Sequence, residues 1–342
     1  MSELKNELDT IARAMVARGK GILAIDESFP TIGKRFKPLG IESTEESRRE
    51  YRDLLITTPG SSEYISGMIL FDETINQSTS SGIPFSKELI SKGIMPGIKV
   101  DKGAKELAGH PGEKVTEGLD NLRERLAEYY TLGAKFAKWR AVITIGNGIP
   151  TNACIEANCH ALARYASLCQ EAGIVPMVEP EVLMDADNTI DICYEVTERT
   201  LATLFSELRK QAVTLEHTIL KVNMVMSGKL CSKQAAVNEV AEKTVNCLKA
   251  TVPPELAGIV FLSGGQSAEL ATAHLNEMNA TNPDLPWPLS FSYGRALQEP
   301  CLKAWEGKQE NIGEAQRALL HREKCNSHAC LGNYTENMEN MT

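Results

Sequence analysis

The sequence predicts an α/β protein, a single (β/α)8 TIM barrel with an N-terminal helix and a helical C-terminal extension. Three observations favour this fold class. Eight short apolar runs alternate with longer amphipathic stretches, no hairpin signal separates them, and no linker rich in Pro, Gly or Ser divides the 342 residues. A chain with about six such runs would favour a doubly wound sheet. We expect one domain over residues 1–342, with 1–19 as the N-terminal helix and 307–342 as the C-terminal helix and tail.

Each predicted strand is a short apolar run. The predicted strands span residues 21–26, 66–71, 96–100, 134–140, 174–179, 218–225, 257–262 and 289–293. Amphipathic stretches between most of them predict helices over residues 43–57, 117–132, 151–172, 189–211, 233–250 and 267–279, and another follows at 310–324. The first of these opens with Ser43 and Glu46 at the spacing of a capping box.

Composition and charge disfavour several functional classes. The net charge is -9 and no long basic run occurs, which argues against a nucleic-acid-binding surface. No apolar stretch reaches the ~20 residues of a membrane span, and the N-terminus lacks the apolar core of a secretory signal. The nine cysteines are dispersed, without a C-x-x-C pair or H-E-x-x-H spacing. We therefore expect reduced thiols, a cytoplasmic protein and no metal site.

A lysine within an apolar strand is the most informative single feature. Lys221 lies inside the predicted strand 218–225, between Leu220 and Val222. Burying an ammonium group without a partner is costly, so such a lysine tends to lose its proton and becomes a nucleophile suited to a carbonyl. Two alternatives remain open at this point: a structural ion pair, and a strand end from which the lysine reaches water.

Charged residues near the carboxyl ends of other predicted strands strengthen the functional interpretation. The chemistry of a (β/α)8 barrel lies on that face, and residues i and i+2 share one side of a strand. The residues concerned are Asp26, Lys99, Lys138, Arg140, Glu179 and Glu181. Each has an alternative: residues 26–28 could cap a helix, Arg140 could form a surface pair and Glu181 could be solvated. Glu179 and Glu181 share a side only if the strand continues past Pro180.

Two loops have the composition of an anion site. Gly264 and Gly265 follow the predicted strand 257–262 and precede a helix, where backbone amides can face an anion. Arg295 follows the last predicted strand and offers a planar fork for phosphate. Because barrels commonly bind phosphate in the loops after their last two strands, both loops predict a phosphate site.

An amine, an acid, a second base and a phosphate site together fit a Schiff-base lyase that acts on a phosphorylated ketose. A lysine with the usual pKa of ~10.4 must lose about three pKa units to be neutral near pH 7. Burial and the charge of Lys138 could supply that shift for Lys221. Glu179 could then move protons during imine formation, and Asp26 could remove a hydroxyl proton from the substrate.

Seven short runs carry a resemblance to a known family. They are GKGILAIDES (19–28), GIKVDKG (97–103), FAKWR (136–140), VEPE (178–181), LKVNM (220–224), FLSGGQS (261–267) and FSYGRALQ (291–298). By these runs the chain resembles the class I fructose-bisphosphate aldolases, from about Lys20 to Tyr334 and in family order. The resemblance implies a lyase without metal or cofactor that reversibly cleaves fructose 1,6-bisphosphate to dihydroxyacetone phosphate and glyceraldehyde 3-phosphate. It places the activity in glycolysis, gluconeogenesis or the Calvin cycle.

The resemblance also implies a role for each candidate residue. Lys221 would be the Schiff-base lysine and Glu179 the proton donor and acceptor for imine formation. Lys138 would stabilise the carbinolamine, and Asp26 would serve the C4 hydroxyl during C–C cleavage. Arg140 would orient the substrate hydroxyls, and Glu181 and Ser292 would be further substrate- or phosphate-binding residues. The residues implied for the 1-phosphate are Ser263, Gly264, Gly265, Gly294 and Arg295, and those for the other phosphate are Ser28 and Lys99.

Three departures from the family pattern carry expectations. Val222 stands where the family usually has a proline, with little expected effect on the chemistry. Phe29-Pro30 replaces a small polar segment and is expected to reshape the second phosphate end. Many family members end in a tyrosine that reaches the active site, whereas Tyr334 is the last tyrosine here. A product phosphate or another residue is therefore expected to carry that proton.

Two alternatives to the main hypothesis stay open, and one further property follows from the resemblance alone. The altered segment 29–30 leaves room for a broader aldolase that also takes sedoheptulose 1,7-bisphosphate. The alternative from a different functional class is a barrel that has lost catalysis at its tail and acts as a binding or scaffold protein. The resemblance implies a homotetramer.

Overall fold

The computed structural model describes residues 2–340, with side chains from residue 5 onward. Its strands are β1 (Gly21–Ile25), β2 (Ile65–Leu70), β3 (Met95–Lys99), β4 (Ala104–Glu106), β5 (Lys114–Thr116), β6 (Phe136–Ile143), β7 (Val175–Val182), β8 (Ile219–Val222), β9 (Gly258–Phe261) and β10 (Leu289–Tyr293). Eight of them are parallel and close into a barrel in the order β1-β10-β9-β8-β7-β6-β3-β2. The predicted fold class is confirmed.

Helices surround the barrel and follow most of its strands. They are α1 (Ser2–Met15), α2 (Phe29–Phe36), α3 (Glu45–Thr57), α4 (Asp72–Ile75), α5 (Phe85–Ser91), α6 (Leu122–Thr131), α7 (Asn152–Glu171), α8 (Ile190–Lys210), α9 (Val237–Thr251), α10 (Ala268–Thr281), α11 (Arg295–Trp305) and α12 (Ile312–Cys330). The predicted N-terminal helix corresponds to α1, and the seven other predicted helices correspond to α3, α6, α7, α8, α9, α10 and α12. The helices α2, α4, α5 and α11 were not predicted. None of the described helices combines the length and hydropathy needed to cross a membrane.

A short hairpin that the sequence did not signal lies between β3 and β6. There β4 and β5 pair in antiparallel fashion, with Ala104 opposite Thr116 and Glu106 opposite Lys114. Each strand has three residues, mostly polar, which is too short for a period of two to stand out. The hairpin occupies the chain as far as Thr116, so the helix predicted from residue 117 begins only at Leu122.

The capping box lies one residue later than predicted. The N–H of Ser47 donates to Thr44 Oγ1 at 3.1 Å, and the N–H of Thr44 donates to Ser47 Oγ at 3.0 Å. Glu46 is instead paired with Arg49 at 2.6 Å. A serine hydroxyl can close the box as a carboxylate does, so the neighbouring Thr44/Ser47 pair takes the place of Ser43/Glu46.

Two aromatic rings of the hydrophobic core rest on glycines of the barrel strands, Phe136 inside the barrel and Phe291 between the barrel and the helices. The ring of Phe136 lies over Gly67 and Gly97, and that of Phe291 lies over Gly21, so that a Cβ on any of these glycines would overlap a ring. Small residues opposite large ones fill the narrow interior of an eight-stranded barrel without strain.

Helix α1 closes the amino-terminal end of the barrel. Its apolar face, with Leu8, Ile11 and Met15, is buried in one cluster with interior residues such as Ile22 and Phe136. A Cβ on Gly258 would overlap Val16, so the chain just after α1 also lies directly against the first residue of β9. The N-terminal helix was predicted, and packing shows what it does: it seals the end opposite the carboxyl ends of the strands.

Candidate active site

One cavity of about 440 Å³ lies at the carboxyl ends of the barrel strands. Every residue that the sequence singled out as a candidate lines it. They are Asp26, Ser28, Lys99, Lys138, Arg140, Glu179, Glu181, Lys221, Ser263, Gly264, Gly265, Ser292, Gly294 and Arg295. The strands bring these residues together because parallel strands end at the same face of the barrel.

Lys221 lies in β8 with its amine inside the cavity. The residue is 4% exposed, so its side chain does not reach bulk water in the way that a strand end would allow. Its Nζ lies 3.2 Å from Oε1 of Glu179. Burial lowers the pKa of Lys221; the Glu179 carboxylate opposes this shift and the charge of Lys138 adds to it. Lys221 is thus in an ion pair, but its partner Glu179 also lines the cavity, and its lowered pKa makes loss of the proton easier.

Lys138 bridges two carboxylates. Its Nζ lies 2.7 Å from Asp26 Oδ2 and 3.3 Å from Glu179 Oε2. Burial opposes the charge on Lys138, but Asp26 and Glu179 outweigh it and raise its pKa. Burial likewise opposes ionisation of Asp26, yet the charges of Lys138 and Lys221 lower its pKa to about 2. Lys138 is therefore a fixed ammonium, whereas Lys221 is the amine able to lose its proton.

Glu179 contacts both lysines. Burial opposes its ionisation, but the charges of Lys138, Lys221 and Arg140 lower its pKa below the ordinary value. It is ionised in the free site and can accept a proton. Strand β7 continues through Pro180 to Val182, which places Glu181 on the same side as Glu179. The carboxylate of Glu181 is buried and pairs with Arg140, so the solvated alternative for Glu181 is wrong.

Lys99, at the end of β3, and Ser28, after β1, also line the cavity. Lys99 Nζ is 2.8 Å from Asp101 Oδ1, and Ser28 Oγ is 3.2 Å from Thr31 Oγ1. Ser28 is the residue just before α2, so the helix-cap alternative is correct in position, although its side chain makes no capping hydrogen bond. The carboxylate of Asp26 points instead to Lys138.

The two glycine-containing loops adjoin each other. Gly264 has φ of +54°, and Ser267 caps α10 by accepting the N–H of Leu270 at 3.1 Å. Arg295 opens α11 and donates to the carbonyl of Gln266, which joins the loops. The hydroxyl of Ser292 is buried and has no hydrogen-bond partner within the described protein. A buried unpaired hydroxyl is costly unless a ligand supplies its partner.

Several cavity residues were missed by sequence reasoning. Glu27 was seen only as part of a possible cap, yet it is buried, pairs with Arg35 and Arg52, and accepts from Gln298 Nε2 at 2.7 Å. This network fixes the turn between Asp26 and α2. Lys229, after β8, also lines the cavity, and nothing in its local sequence distinguishes it from a solvated lysine.

The departures from the family pattern lie outside the cavity. Phe29 packs against Phe71, with ring centroids 5.3 Å apart, and under Arg48. Neither Phe29 nor Pro30 lines the cavity, so the expected reshaping through their side chains is not seen. Tyr334 donates from its hydroxyl to Glu339 at 2.8 Å and is likewise not a cavity residue. Val222 is fully buried as the last residue of β8.

Comparison with known proteins decides the family. A family model described as fructose-bisphosphate aldolase class-I matches residues 7–342. The chain belongs to this family. It is 64% identical over 329 residues to a probable class 1 fructose-bisphosphate aldolase from Xanthomonas campestris, covering 96% of this chain and 98% of that protein. It is 53% identical over 334 residues to fructose-bisphosphate aldolase 1 from Toxoplasma gondii, covering 97% and 92%.

Solved structures agree with this assignment. A fructose-bisphosphate aldolase from Plasmodium falciparum, crystallised with TRAP and a small-molecule inhibitor, superposes with a TM-score of 0.96 and 47% identity, covering 98% of this chain and 97% of that one. The predicted family and class of enzyme are confirmed: the chain is a class I aldolase, a lyase that uses a lysine Schiff base and no metal. Its substrate is a phosphorylated sugar.

Proposed function

We propose that Lys221 forms the Schiff base with fructose 1,6-bisphosphate and that the charged residues around it carry the proton transfers. One observation carries this proposal: the buried amine of Lys221 lies 3.2 Å from Glu179, beside the permanently charged Lys138. A buried lysine with a lowered pKa has a larger fraction of neutral amine, which is the nucleophilic form.

Imine formation uses Glu179 and Lys138. As the amine attacks the C2 carbonyl, a new C–N bond forms and the ammonium of Lys138 donates to the developing alkoxide. Glu179, ionised in the free site, first takes a proton from the Lys221 ammonium and passes it to the alkoxide, which becomes the C2 hydroxyl. It then takes a second proton from the nitrogen and gives it to that hydroxyl, which leaves as water from the protonated imine. The contacts of Glu179 support this role, because one carboxylate oxygen lies 3.2 Å from Lys221 Nζ and the other 3.3 Å from Lys138 Nζ.

Bond cleavage uses Asp26. Its low pKa keeps it ionised, and its carboxylate can accept the C4 hydroxyl proton. The electron pair of the C3–C4 bond then moves into the protonated imine, so that an enamine remains on Lys221 and glyceraldehyde 3-phosphate departs. Protonation at C3 and hydrolysis of the imine release dihydroxyacetone phosphate.

The two phosphates occupy opposite parts of the cavity. The 1-phosphate lies at the adjoining loops after β9 and β10, where amides and the Ser292 hydroxyl face the cavity and Arg295 can turn from its present partners. The 6-phosphate lies near Lys99 and Ser28. Arg140, paired with Glu181, orients the substrate hydroxyls.

Borohydride reduction in the presence of dihydroxyacetone phosphate tests the proposal. We expect one covalent adduct on Lys221 in the native protein and none in Lys221→Met, which also loses cleavage. The matched control is Lys87→Met, since Lys87 is an exposed lysine on α5. Normal cleavage by Lys221→Met would show that the proposed mechanism is wrong. Absence of an adduct in a cleaving native protein would also exclude it.

Two further properties belong to the same proposal. We place the enzyme in the cytosol because relatives from Arabidopsis thaliana and Spinacia oleracea are named as cytosolic or cytoplasmic isozymes, and because all nine cysteines are free. We also propose that residues 1–342 act as one domain and assemble as a homotetramer, as the family resemblance implies. Analytical ultracentrifugation tests the assembly, with a monomer as the contrary result.

A further inference from the structure

Lys229 lies over the Gly264–Gly265 loop, which is the proposed position of the 1-phosphate. The stem of Lys229 passes so close to Gly265 that a Cβ on that glycine would overlap its Cε and Nζ. Lys229 lies in the long connection from β8 to α9, eight residues beyond Lys221 in the chain. It is a cavity residue, although sequence reasoning assigned it no role.

The backbone around Lys229 is held firmly. The N–H of Gly228 donates to Asn188 O at 2.9 Å, and that of Lys229 donates to Met184 O at 2.7 Å. A Cβ on Gly228 would overlap the carbonyl of Ala186, so this position requires glycine. The direction from which Lys229 enters the cavity is therefore fixed by main-chain contacts.

The ammonium of Lys229, by contrast, makes only an exposed ion pair with Asp185. Its Nζ lies 2.7 Å from Asp185 Oδ1, and the two side chains are 42% and 65% exposed. An ion pair this exposed contributes little, because water screens it and two flexible side chains must be ordered. The ammonium can exchange Asp185 for a stronger anion at small cost.

The backbone amide of Gly265, beneath Lys229, also lacks a strong hydrogen-bond acceptor. The N–H of Gly265 donates to Met184 Sδ at 2.9 Å, and a thioether is a poor acceptor. The hydroxyl of Ser292, which lines the same cavity, is buried and unpaired among the described residues. A phosphate here would replace Met184 Sδ as the acceptor for the Gly265 N–H, accept a hydrogen bond from the Ser292 hydroxyl and pair with the ammonium of Lys229.

We propose that Lys229 is a substrate-binding residue that contacts the 1-phosphate. In the free enzyme its ammonium already lies over Gly265 and pairs with Asp185, and the phosphate takes the place of Asp185 as its partner. This inference rests on the proposed position of the 1-phosphate. Because the contact is to a group that takes no part in bond cleavage, it stabilises bound substrate and transition state equally and changes KM rather than kcat.

Steady-state kinetics with two substrates test this role. For Lys229→Gln we expect KM to rise about tenfold for both fructose 1,6-bisphosphate and fructose 1-phosphate, with kcat within about twofold of the native value. Lys229→Arg should restore most of the loss, because it keeps the charge. The matched control, Lys233→Gln, removes an exposed lysine of the same connection that does not line the cavity, and should leave KM unchanged.

Two results would overturn the assignment. A KM for Lys229→Gln no different from that of Lys233→Gln would remove any binding role, and an increase confined to the bisphosphate would place Lys229 at the other phosphate. Calorimetric titration with dihydroxyacetone phosphate separates this inference from the proposed mechanism. Weaker binding by Lys229→Gln supports it even if borohydride traps no adduct on Lys221, whereas equal binding contradicts it even if Lys221 is trapped.

Discussion

Lys221 and Glu179 form a buried ion pair in which Nζ lies 3.2 Å from Oε1. The carboxylate draws the proton toward the lysine, while burial and the neighbouring Lys138 ammonium favour its loss. The protonation state of Lys221 on β8 therefore depends on opposing effects. Glu179 on β7 favours the ammonium form, whereas burial and Lys138 on β6 favour the neutral amine. This balance is open to direct measurement, because each opposing group can be changed separately.

Glu179→Gln should shift the pH dependence of the reaction as well as slow it. Since the Glu179 carboxylate raises the pKa of Lys221, its removal lowers that pKa further. We expect the acid limb of the kcat/KM profile to move to lower pH, and kcat to fall about a hundredfold or more through loss of the acid–base group. Glu269→Gln, at an exposed position of α10, is the control. A move of the acid limb to higher pH would contradict the assignment.

Asp26→Asn should separate imine formation from bond cleavage. We expect cleavage of fructose 1,6-bisphosphate to fall about a thousandfold, because the C4 hydroxyl loses its base. Borohydride should still trap dihydroxyacetone phosphate on Lys221, since Glu179 and Lys138 remain. The comparison variant is Asp284→Asn, at an exposed loop position. If trapping is lost in proportion to cleavage, Asp26 acts in imine formation or in maintaining the site.

Glu323 should make the stability of the fold depend on pH. This carboxyl is fully buried on α12, accepts from Ser61 Oγ at 2.8 and 2.7 Å, and has its pKa raised by burial to about 8 from an ordinary 4.5. Below pH 4.5 it is protonated in both the folded and the unfolded chain. Between pH 4.5 and 8 only the folded chain keeps the proton, so stability falls as pH rises.

The effect of Glu323 can be isolated with Glu323→Gln, which cannot ionise. We expect the native protein to lose stability over that interval by roughly tenfold in its unfolding equilibrium constant per pH unit, relative to the variant. Above pH 8 the difference should be constant. Thermal unfolding from pH 4 to 9 measures this, with Glu314→Gln on the exposed face of α12 as the control. Parallel pH curves for native protein and Glu323→Gln would show that the carboxyl is ionised in the fold.

Gly97→Ala should destabilise the barrel by overpacking. The added Cβ would overlap the ring of Phe136, and the closed barrel gives that ring little room to move. We expect a loss of about 1–3 kcal/mol in the free energy of unfolding, measured in urea. Phe136→Leu in the same chain should recover part of that loss. Gly313→Ala, in α12 with no close neighbour beyond Arg317, should be neutral or slightly stabilising.

Much of the site could be predicted from the sequence, because its signals are local. An apolar run that contains or ends in a charged residue indicates both a buried strand and a site of chemistry, as at Lys221, Asp26 and Glu179. Two neighbouring loops with glycine and arginine predict the phosphate end in the same way. The hairpin of β4 and β5 could not be predicted for a local reason as well, because three residues are too few to show a periodic pattern.

The sequence by itself thus determined that eight parallel strands form a barrel and that Lys99, Lys138 and Lys221 lie on its strands. Only the tertiary structure decided which charges meet. It placed Lys138 between Asp26 and Glu179 and brought Lys229 over Gly265. The physical reason is that periodicity records which side of an element is buried, whereas a pKa depends on charges brought together from strands and loops far apart in the chain.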